Sequence, residues 1–217
     1  MKIFYKGKDF VKIEKDIIKA FNFIKISFPL EISDVVINVY DSRAEFNKKL
    51  KKETEEWLVA NASHDKEIDI LSPIAIENES NHHKDEFLQI LKHEFTHIFI
   101  HELAKGNTIP MWLNEGLASY IADQYKDYKK AIFIEEGFCK KLDTQKGWND
   151  NVNYSAYQIS SFFVLFLINK YSFNKIKKLI VSLDKNYYYP FFKEIFFKIY
   201  KKDLSEVEKL FIKEINK

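Results

Sequence analysis

The sequence contains a single cysteine, Cys139, among its 217 residues. One cysteine cannot form an intramolecular disulfide, so no disulfide framework holds this chain together. That absence is typical of a protein from a reducing compartment. No pattern of histidine and asparagine partners surrounds Cys139, so we interpret it as a small buried apolar residue rather than a nucleophile.

The chain also lacks long apolar runs and any excess of one charge. The longest apolar run, Phe162–Ile168, is far shorter than the roughly 20 residues that cross a bilayer. The 34 basic and 32 acidic residues leave a net charge of +2, which gives no reason to expect nucleic acid or an anionic membrane as a partner. Charged residues interrupt every apolar stretch near the N-terminus, so no secretion signal is indicated. We expect a cytoplasmic protein, although a secreted protein that had lost its signal peptide would have the same sequence.

Glycine and proline are scarce, with 5 and 4 residues, and neither forms a tract that would indicate a linker. Hydrophobic residues make up 46% of the chain, enough for a sizeable core. The β-branched segments Val35–Tyr40 and Ile68–Leu71 predict strands of one sheet, and the apolar spacing over Val11–Phe28 predicts a helix. From Phe87 onward the pattern is helical. The fold class is therefore predicted to be α+β, a small mixed sheet followed by a mainly helical C-terminal half.

His93, Glu94 and His97 form a His-Glu-x-x-His pattern on one of these predicted helices. Residues four apart on a helix lie about 40° apart around its axis and about 6 Å apart along it, so both imidazoles can reach one ion. Zinc binds imidazole nitrogens at about 2.0–2.1 Å. Glu94 is rotated by about 100° from His93 and can instead face a water on the metal as a general base.

A catalytic zinc needs a third protein ligand and one open position. Glu115 fits this requirement, because Pro110 begins a second predicted helix that can return alongside the first. The segment Lys105-Gly106-Asn107 between the two predicted helices is typical of a helix end. We predict a single domain over residues 1–217, with an α+β half at 1–84 and a helical half at 85–217 that carries the metal site.

These motifs resemble those of a known family. His93-Glu94-x-x-His97 followed by Pro110-x-Trp112-Leu113-Asn114-Glu115-Gly116-Leu117-Ala118-x-Tyr120 resembles the gluzincin metallopeptidases, in particular the peptidase MA-like proteins related to the catalytic domain of aminopeptidase N. Weaker similarity extends over residues 35–171, through Glu56-Trp57-x-x-Ala60 and Ala156-Tyr157-x-x-Ser160. The resemblance implies a zincin-like fold, one Zn²⁺ held by His93, His97 and Glu115, and Glu94 as the base.

The resemblance further implies a tyrosine near the metal that stabilises the oxyanion. Tyr157 is the best match to it, and Tyr154 is the alternative. Two departures bear on the activity. Asn61 replaces the glycine that the family tends to have after the tryptophan, and the motif Gly-x-Met-Glu-Asn, which binds a free amino terminus in the aminopeptidases, is absent. The absence argues against an aminopeptidase.

We therefore expect a zinc metallopeptidase that acts on a peptide or protein substrate, with the peptide added along a sheet edge near Ile68–Leu71. The alternative is a zinc-binding regulatory or interaction module with little general peptidase activity. The aromatic stretch Tyr187–Phe192 motivates that alternative, because exposed aromatic residues favour interfaces, and burial of its rings would remove the support. The sequence predicts no particular oligomeric state.

Overall fold

A computed structural model describes residues 1–217 of the chain except 6, 8, 64, 128–133, 152–154 and 217. It is a mixed α and β protein, mostly helical, with one four-stranded sheet, as the sequence predicts. The chain packs into two compact units, Met1–Phe99 and Ile100–Lys217, and the boundary lies within one helix. The single-domain organisation with halves at 1–84 and 85–217 stays a prediction.

The first unit contains the sheet and most of four helices. Its strands are β1 (Lys2–Phe4), β2 (Val36–Tyr40), β3 (Ala60–Ala62) and β4 (Glu67–Leu71). Its helices are α1 (Phe10–Ser27), α2 (Arg43–Leu50), α3 (Pro73–Glu79) and the first three turns of α4 (Phe87–Ala104), which a short 3₁₀ turn at Lys84–Glu86 precedes. The sheet therefore comes entirely from the first third of the chain.

The strand order in the sheet is β1-β2-β4-β3. β1 and β2, and β2 and β4, pair in parallel, with Ile3 opposite Ile37 and Ile37 opposite Ile68. β3 pairs antiparallel with β4, with Asn61 opposite Asp69. β4 thus lies inside the sheet, and the prediction that Ile68–Leu71 offers a free edge is wrong. The edges are β1 and β3.

Local sequence signals explain where the helices begin. The Ser42 hydroxyl accepts a hydrogen bond from the Glu45 N–H at 3.3 Å and caps α2. Ser72 caps α3 in the same way through Ala75, and Pro73 occupies its first turn. The apolar side of α1, which includes Ile13, Ile17 and Ile24, is buried, as its helical spacing requires.

The second unit is helical. It contains the end of α4 followed by α5 (Met111–Ile121), α6 (Phe138–Lys141), α7 (Gln145–Asn151), α8 (Ala156–Tyr171), α9 (Phe173–Val181), α10 (Tyr189–Tyr200) and α11 (Leu204–Ile215), with a 3₁₀ turn at Gln124–Lys126. The Phe163 ring lies at its centre, with ring centroids 5.3 Å from Trp112, 5.0 Å from Phe138 and 5.1 Å from Phe211. Aromatic packing between helices therefore forms much of this core.

One helix is shorter than the sequence predicts. The segment Tyr128–Leu142 is predicted as one helix, but within the part of it that the structure describes only Phe138–Lys141 is helical. Gly137 has φ +79°, a left-handed conformation that ends any helix approaching from the N-terminal side. Cys139, in the short helix, is completely buried, as predicted.

No helix in the described part of the chain is both long and apolar enough to cross a membrane.

Candidate metal centre

His93, Glu94 and His97 lie in the middle of helix α4. The surrounding residues Leu91, Phe95 and Phe99 are fully buried, and the Phe21 ring of α1 packs against Phe95 at 5.5 Å between centroids. The Thr96 hydroxyl donates to the Lys92 carbonyl at 2.7 Å, so its polar group is satisfied within the helix. An apolar setting thus fixes the orientation of this part of α4.

The three functional candidates on α4 are themselves buried. His93 and His97 are each 8% exposed and Glu94 is 9% exposed. The two imidazole rings pack edge-to-face, with centroids 4.8 Å apart and planes at 76°. Polar side chains in such surroundings cost free energy unless they have partners, and a metal ion is one that satisfies two imidazoles at once.

Helix α5 carries Glu115, which is half-buried. The connection between α6 and α7 holds the start of α5, because the N–H groups of Met111 and Trp112 donate to the carbonyls of Asp143 and Leu142 at 3.0 and 2.9 Å. These bonds satisfy N–H groups that the first turn of a helix leaves without partners. Glu115 is one turn further along, so its place follows from this anchoring.

His93, His97 and Glu115 come together. One ligand atom from each lies within 4.8 Å of the other two. A zinc ion with ligand bonds of about 2.0–2.2 Å can bridge such a group after small side-chain rotations. Two neutral imidazoles and one carboxylate are also a donor set that catalytic zinc sites use. The residues present therefore fit zinc in number, type and spread.

Tyr157 lies in the first turn of α8. Its ring packs edge-to-face against Trp148 at 4.8 Å between centroids, and its side chain is half-buried. The alternative, Tyr154, lies outside the described residues. A role for either tyrosine at the oxyanion stays a prediction.

Helices α5 and α8 approach each other closely at Gly116. A Cβ atom added to Gly116 would lie 2.6 Å from the Ser160 carbonyl oxygen and 2.7 Å from its carbon, closer than real Cβ contacts. Only glycine allows this approach of two helix backbones. Because Glu115 precedes Gly116, and Tyr157 lies one turn before Ser160, this contact couples the helices that carry two of the predicted site residues.

Sequence reasoning missed the support that residues 142–143 give to α5. Backbone carbonyls supply this support, and a backbone acceptor leaves no side-chain signature in a sequence. It also missed the hydrogen bond from the Tyr187 hydroxyl to the Asp143 carboxylate, which joins residues 44 positions apart. Neither contact follows from a motif, since both depend on tertiary packing.

Comparison with known proteins places the chain among peptidases. Residues 50–209 match the BSP family, described as "Peptidase of plants and bacteria". This match covers well over half of the 217 residues, so the chain belongs to that family. No curated protein and no solved structure matches the chain. The prediction of a peptidase is confirmed at this level, and all five predicted site residues fall within the matched segment; the relationship to the gluzincins stays a prediction.

Proposed function

We propose that this protein is a zinc-dependent peptidase of gluzincin type, with a zincin-like fold. The observation that carries the proposal is the group formed by His93, His97 and Glu115, whose ligand atoms lie within 4.8 Å of one another. The group occurs in a chain of a peptidase family and adjoins a buried glutamate, Glu94. Hydrolysis of a peptide bond requires a base near an electrophilic centre, and this arrangement supplies both.

In this proposal the imidazoles of His93 and His97 and the carboxylate of Glu115 hold the ion. Zinc bound there would supply Lewis acidity, which acidifies water and polarises the carbonyl of the scissile bond. The buried setting of α4 excludes bulk solvent from the two imidazoles and strengthens every electrostatic interaction around them.

Glu94 acts as the general base. Its carboxylate accepts a proton from the attacking water while the water oxygen bonds to the scissile carbon. The same carboxyl then donates that proton to the leaving amine as the carbon–nitrogen bond breaks, which leaves a carboxylic acid and an amine. A glutamate adjacent in sequence to His93 is directed about 100° around the helix from it, so Glu94 need not compete for the ion.

Tyr157 completes the proposed site by donating its hydroxyl hydrogen to the negative oxygen that develops during attack. The close contact of α5 and α8 at Gly116 supports this role, because α8 carries Tyr157.

We place the bound peptide along β3 rather than β4, since β4 is paired on both sides and β3 is an edge strand. Strand addition to a free edge gives affinity through main-chain hydrogen bonds, and contacts with alternate side chains of the substrate give specificity.

The decisive experiment compares wild type with Glu94→Gln on a peptide library, with zinc measured in both. Glu94→Gln should keep about one zinc per chain and lose roughly 10²–10⁴-fold or more of its turnover, because it removes the base but no ligand. Glu45→Gln, the same substitution at an exposed helical position, is the matched control and should behave as wild type.

His93→Ala and Glu115→Ala should lose zinc and activity together, and a chelator should have the same effect on wild type. Wild-type turnover by Glu94→Gln would contradict the role of the base. Purified protein that binds no zinc, or that cleaves peptides fully in a chelator, would contradict the metal site itself.

A second candidate function is an interaction module that holds zinc without general peptidase activity. The burial of the aromatic stretch Tyr187–Phe192 bears on it. Phe192 is fully buried, but Tyr188 is 56% exposed, and its ring packs against the Phe191 ring. The exposed Tyr188 keeps this candidate open. It predicts a stoichiometric zinc content and no difference between wild type and Glu94→Gln on any peptide.

A further inference from the structure

An exposed tryptophan stands at the start of the free sheet edge. Trp57 is 47% exposed, whereas the other two tryptophans, Trp112 and Trp148, are 0% and 3% exposed. A large aromatic side chain in water is a common feature of binding surfaces, because covering it releases much apolar area from water.

The backbone around Trp57 is held rigidly. The Leu58 N–H donates to the Glu55 carbonyl at 3.0 Å and closes a turn with Trp57 near its tip. The Arg43 guanidinium donates to the carbonyls of Glu55 and Leu58, both at 3.0 Å, and to that of Glu56 at 3.2 Å. The planar fork of arginine suits such multiple contacts, and lysine cannot reproduce them.

His82 contacts the Trp57 carbonyl, the one carbonyl of this turn to which Arg43 does not donate. The His82 Nε2 lies 3.1 Å from the Trp57 carbonyl, and its Nδ1 lies 2.7 Å from a carboxylate oxygen of Glu86. Four consecutive carbonyls, those of residues 55–58, therefore accept hydrogen bonds. These hydrogen bonds restrict the backbone of the turn before any ligand binds. Binding at Trp57 therefore costs little additional backbone entropy.

Strand β3 follows the turn, and one of its two edges faces away from β4. The Leu71 N–H donates to the Val59 carbonyl at 2.9 Å, and the Ser63 N–H donates to the Glu67 carbonyl at 2.8 Å. In an antiparallel ladder this register directs the N–H and C=O of Ala60 and Ala62 away from β4. No strand in the described part of the chain lies beyond β3, and an added chain can pair here at Ala62, which is half-buried, whereas Ala60 is only 6% exposed.

The charges beside Trp57 narrow the choice of occupant. Glu55 and Glu56 are exposed and precede Trp57 directly, so the turn carries two carboxylates against the single positive charge of Arg43. A basic residue adjacent to a bulky apolar residue complements that pair.

Building on the proposed peptidase function, we propose that Trp57 is a specificity-determining residue. It binds a bulky apolar side chain of an extended peptide that adds to β3, with a basic neighbour in that peptide beside Glu55 and Glu56. Arg43 and His82 are positioning residues that hold the turn. The peptide is chosen as occupant because the chain belongs to a peptidase family and because an open strand edge binds extended chains.

The test measures binding in a Glu94→Gln background, so that no turnover confuses it. The probes are an extended heptapeptide with a central Phe next to Lys, a matched peptide with Ala for Phe, and a third with Glu for Lys. Acrylamide quenching of tryptophan fluorescence reports Trp57 selectively, since Trp112 and Trp148 are buried. The Phe-Lys peptide should reduce acrylamide quenching of Trp57. Its dissociation constant should lie at least about tenfold below that of either other peptide.

Three variants complete the test. Trp57→Ala should weaken binding of the Phe-Lys peptide at least about tenfold, while Trp57→Phe should bind it within about threefold of the parent. Phe197→Ala, at a 49% exposed aromatic position on α10, is the control and should not change the affinity. Arg43→Lys should weaken binding with the fold intact by circular dichroism, and it should raise the Michaelis constant more than it lowers kcat when Glu94 is present.

The outcomes separate this inference from the proposed function. Equal affinity of the Phe and Ala peptides, unchanged binding by Trp57→Ala, or no binding of the Phe-Lys peptide would overturn the inference, even with Glu94-dependent cleavage established. Peptide protection of Trp57 without any Glu94-dependent cleavage would support the inference and overturn the hydrolytic function.

Discussion

Glu67, on the sheet of the unit at 1–99, has a charged and an amide partner, whereas two buried carboxylates in the unit at 100–217 accept hydrogen bonds from neutral groups. On the sheet, Glu67 accepts hydrogen bonds from Lys49 at 2.8 Å and from Asn38 at 2.6 Å, and the bond from Lys49 lowers the pKa of Glu67. Asp143 accepts from the Tyr187 hydroxyl, and burial raises its pKa to about 6. The lysine beside Glu67 thus favours the ionised form of that carboxyl, whereas burial beside a neutral donor favours the protonated form of Asp143.

Glu208 in the helical unit follows the same rule as Asp143. It is 3% exposed and accepts a hydrogen bond from the Cys139 N–H at 2.9 Å, and burial raises its pKa. No lysine or arginine in the described residues pairs with either carboxylate. Ion pairs of the helical unit, such as Lys146–Asp150, lie on its surface, whereas its two buried carboxylates have neutral donors. The substitutions that follow probe this contrast.

The largest effect should come from Gly116→Ala, which attacks the packing of the helical unit. The new Cβ atom would collide with the Ser160 backbone at 2.6 Å. This overpacking should outweigh the roughly 1 kcal/mol that alanine gains in a helix, for a net loss of about 2 kcal/mol or more in urea unfolding. Zinc affinity should fall with it, since Glu115 is the adjacent residue.

Gly106→Ala is the matched control for Gly116→Ala. Its Cβ would meet only the Lys185 side chain at 3.7 Å, but its φ of +79° is unfavourable for alanine. A loss of about 1 kcal/mol is expected from the backbone alone, with zinc affinity unchanged. Equal losses for the two variants would mean that the approach of α5 to α8 is not decisive.

Asp69→Ala tests the polar network of the sheet. The Asp69 carboxylate is 3% exposed and accepts hydrogen bonds from Asn38 at 2.9 Å and from the Tyr40 hydroxyl at 2.8 Å. Its removal leaves the Tyr40 hydroxyl without its acceptor and should cost about 2 kcal/mol in urea unfolding. Asp69→Asn keeps one acceptor oxygen and should lose clearly less; an equal loss would show that the charge matters rather than the hydrogen bonds.

Asp143→Asn should stabilise the protein at neutral pH. The folded pKa of Asp143, about 6, lies above the unfolded value of about 3.9, so its stabilising effect is complete below pH 4 and lost as pH rises through 6. Asparagine removes this loss. The free energy of unfolding at pH 7.5 should exceed that of wild type by about 1–2 kcal/mol, and the difference should shrink toward pH 4.

Tyr187→Phe sharpens the same measurement. The Tyr187 hydroxyl lowers the pKa of Asp143 by its hydrogen bond, so its removal should raise that pKa and move the loss of stability to higher pH. A pH profile of unfolding that is identical in wild type and Asp143→Asn would contradict the role of this carboxyl.

The smallest effect is expected for Lys49→Met on the surface of the sheet. The pair of Lys49 and Glu67 is only partly buried, and such pairs contribute about 0.5 kcal/mol. The loss should fall further at high salt, because added ions screen exposed pairs. A loss above about 1.5 kcal/mol would show that the sheet depends on this ion pair far more than its exposure indicates.

Helices with strong apolar period were predictable from the sequence, and contacts between distant residues were not. The sequence predicts a helix over Leu204–Ile215, and α11 occupies that range, with Leu204, Val207 and Phe211 on its buried side. Strand β1 was missed, since its three residues become a strand only by pairing with β2. The prediction of a free edge at Ile68–Leu71 came from the family resemblance, and it is wrong because β4 pairs with β2 on one side and with β3 on the other.

In the candidate site, too, some residues were predictable from the sequence and some contacts were not. His93, Glu94 and His97 follow from spacing on one helix, and Glu115 from a motif in the next. Two other contacts follow from neither spacing nor motif: the backbone hydrogen bonds that hold the start of α5, and those from the Arg43 guanidinium to the turn at Trp57. Both use backbone carbonyls as acceptors, and these carry no sequence signal. His82, whose polar neighbourhood is typical of a solvated residue, is half-buried between Glu86 and the Trp57 carbonyl.

The single cysteine of the chain, Cys139, is buried in the helical unit and can report when that unit opens. Cys139 is fully buried, and that burial raises the pKa of its thiol, so a thiol-reactive dye should reach it only when this unit opens. The labelling rate then measures the opening free energy of residues 100–217 without any engineered probe. Labelling rates measured with and without added zinc would show whether zinc binding makes opening of this unit less frequent or leaves it unchanged.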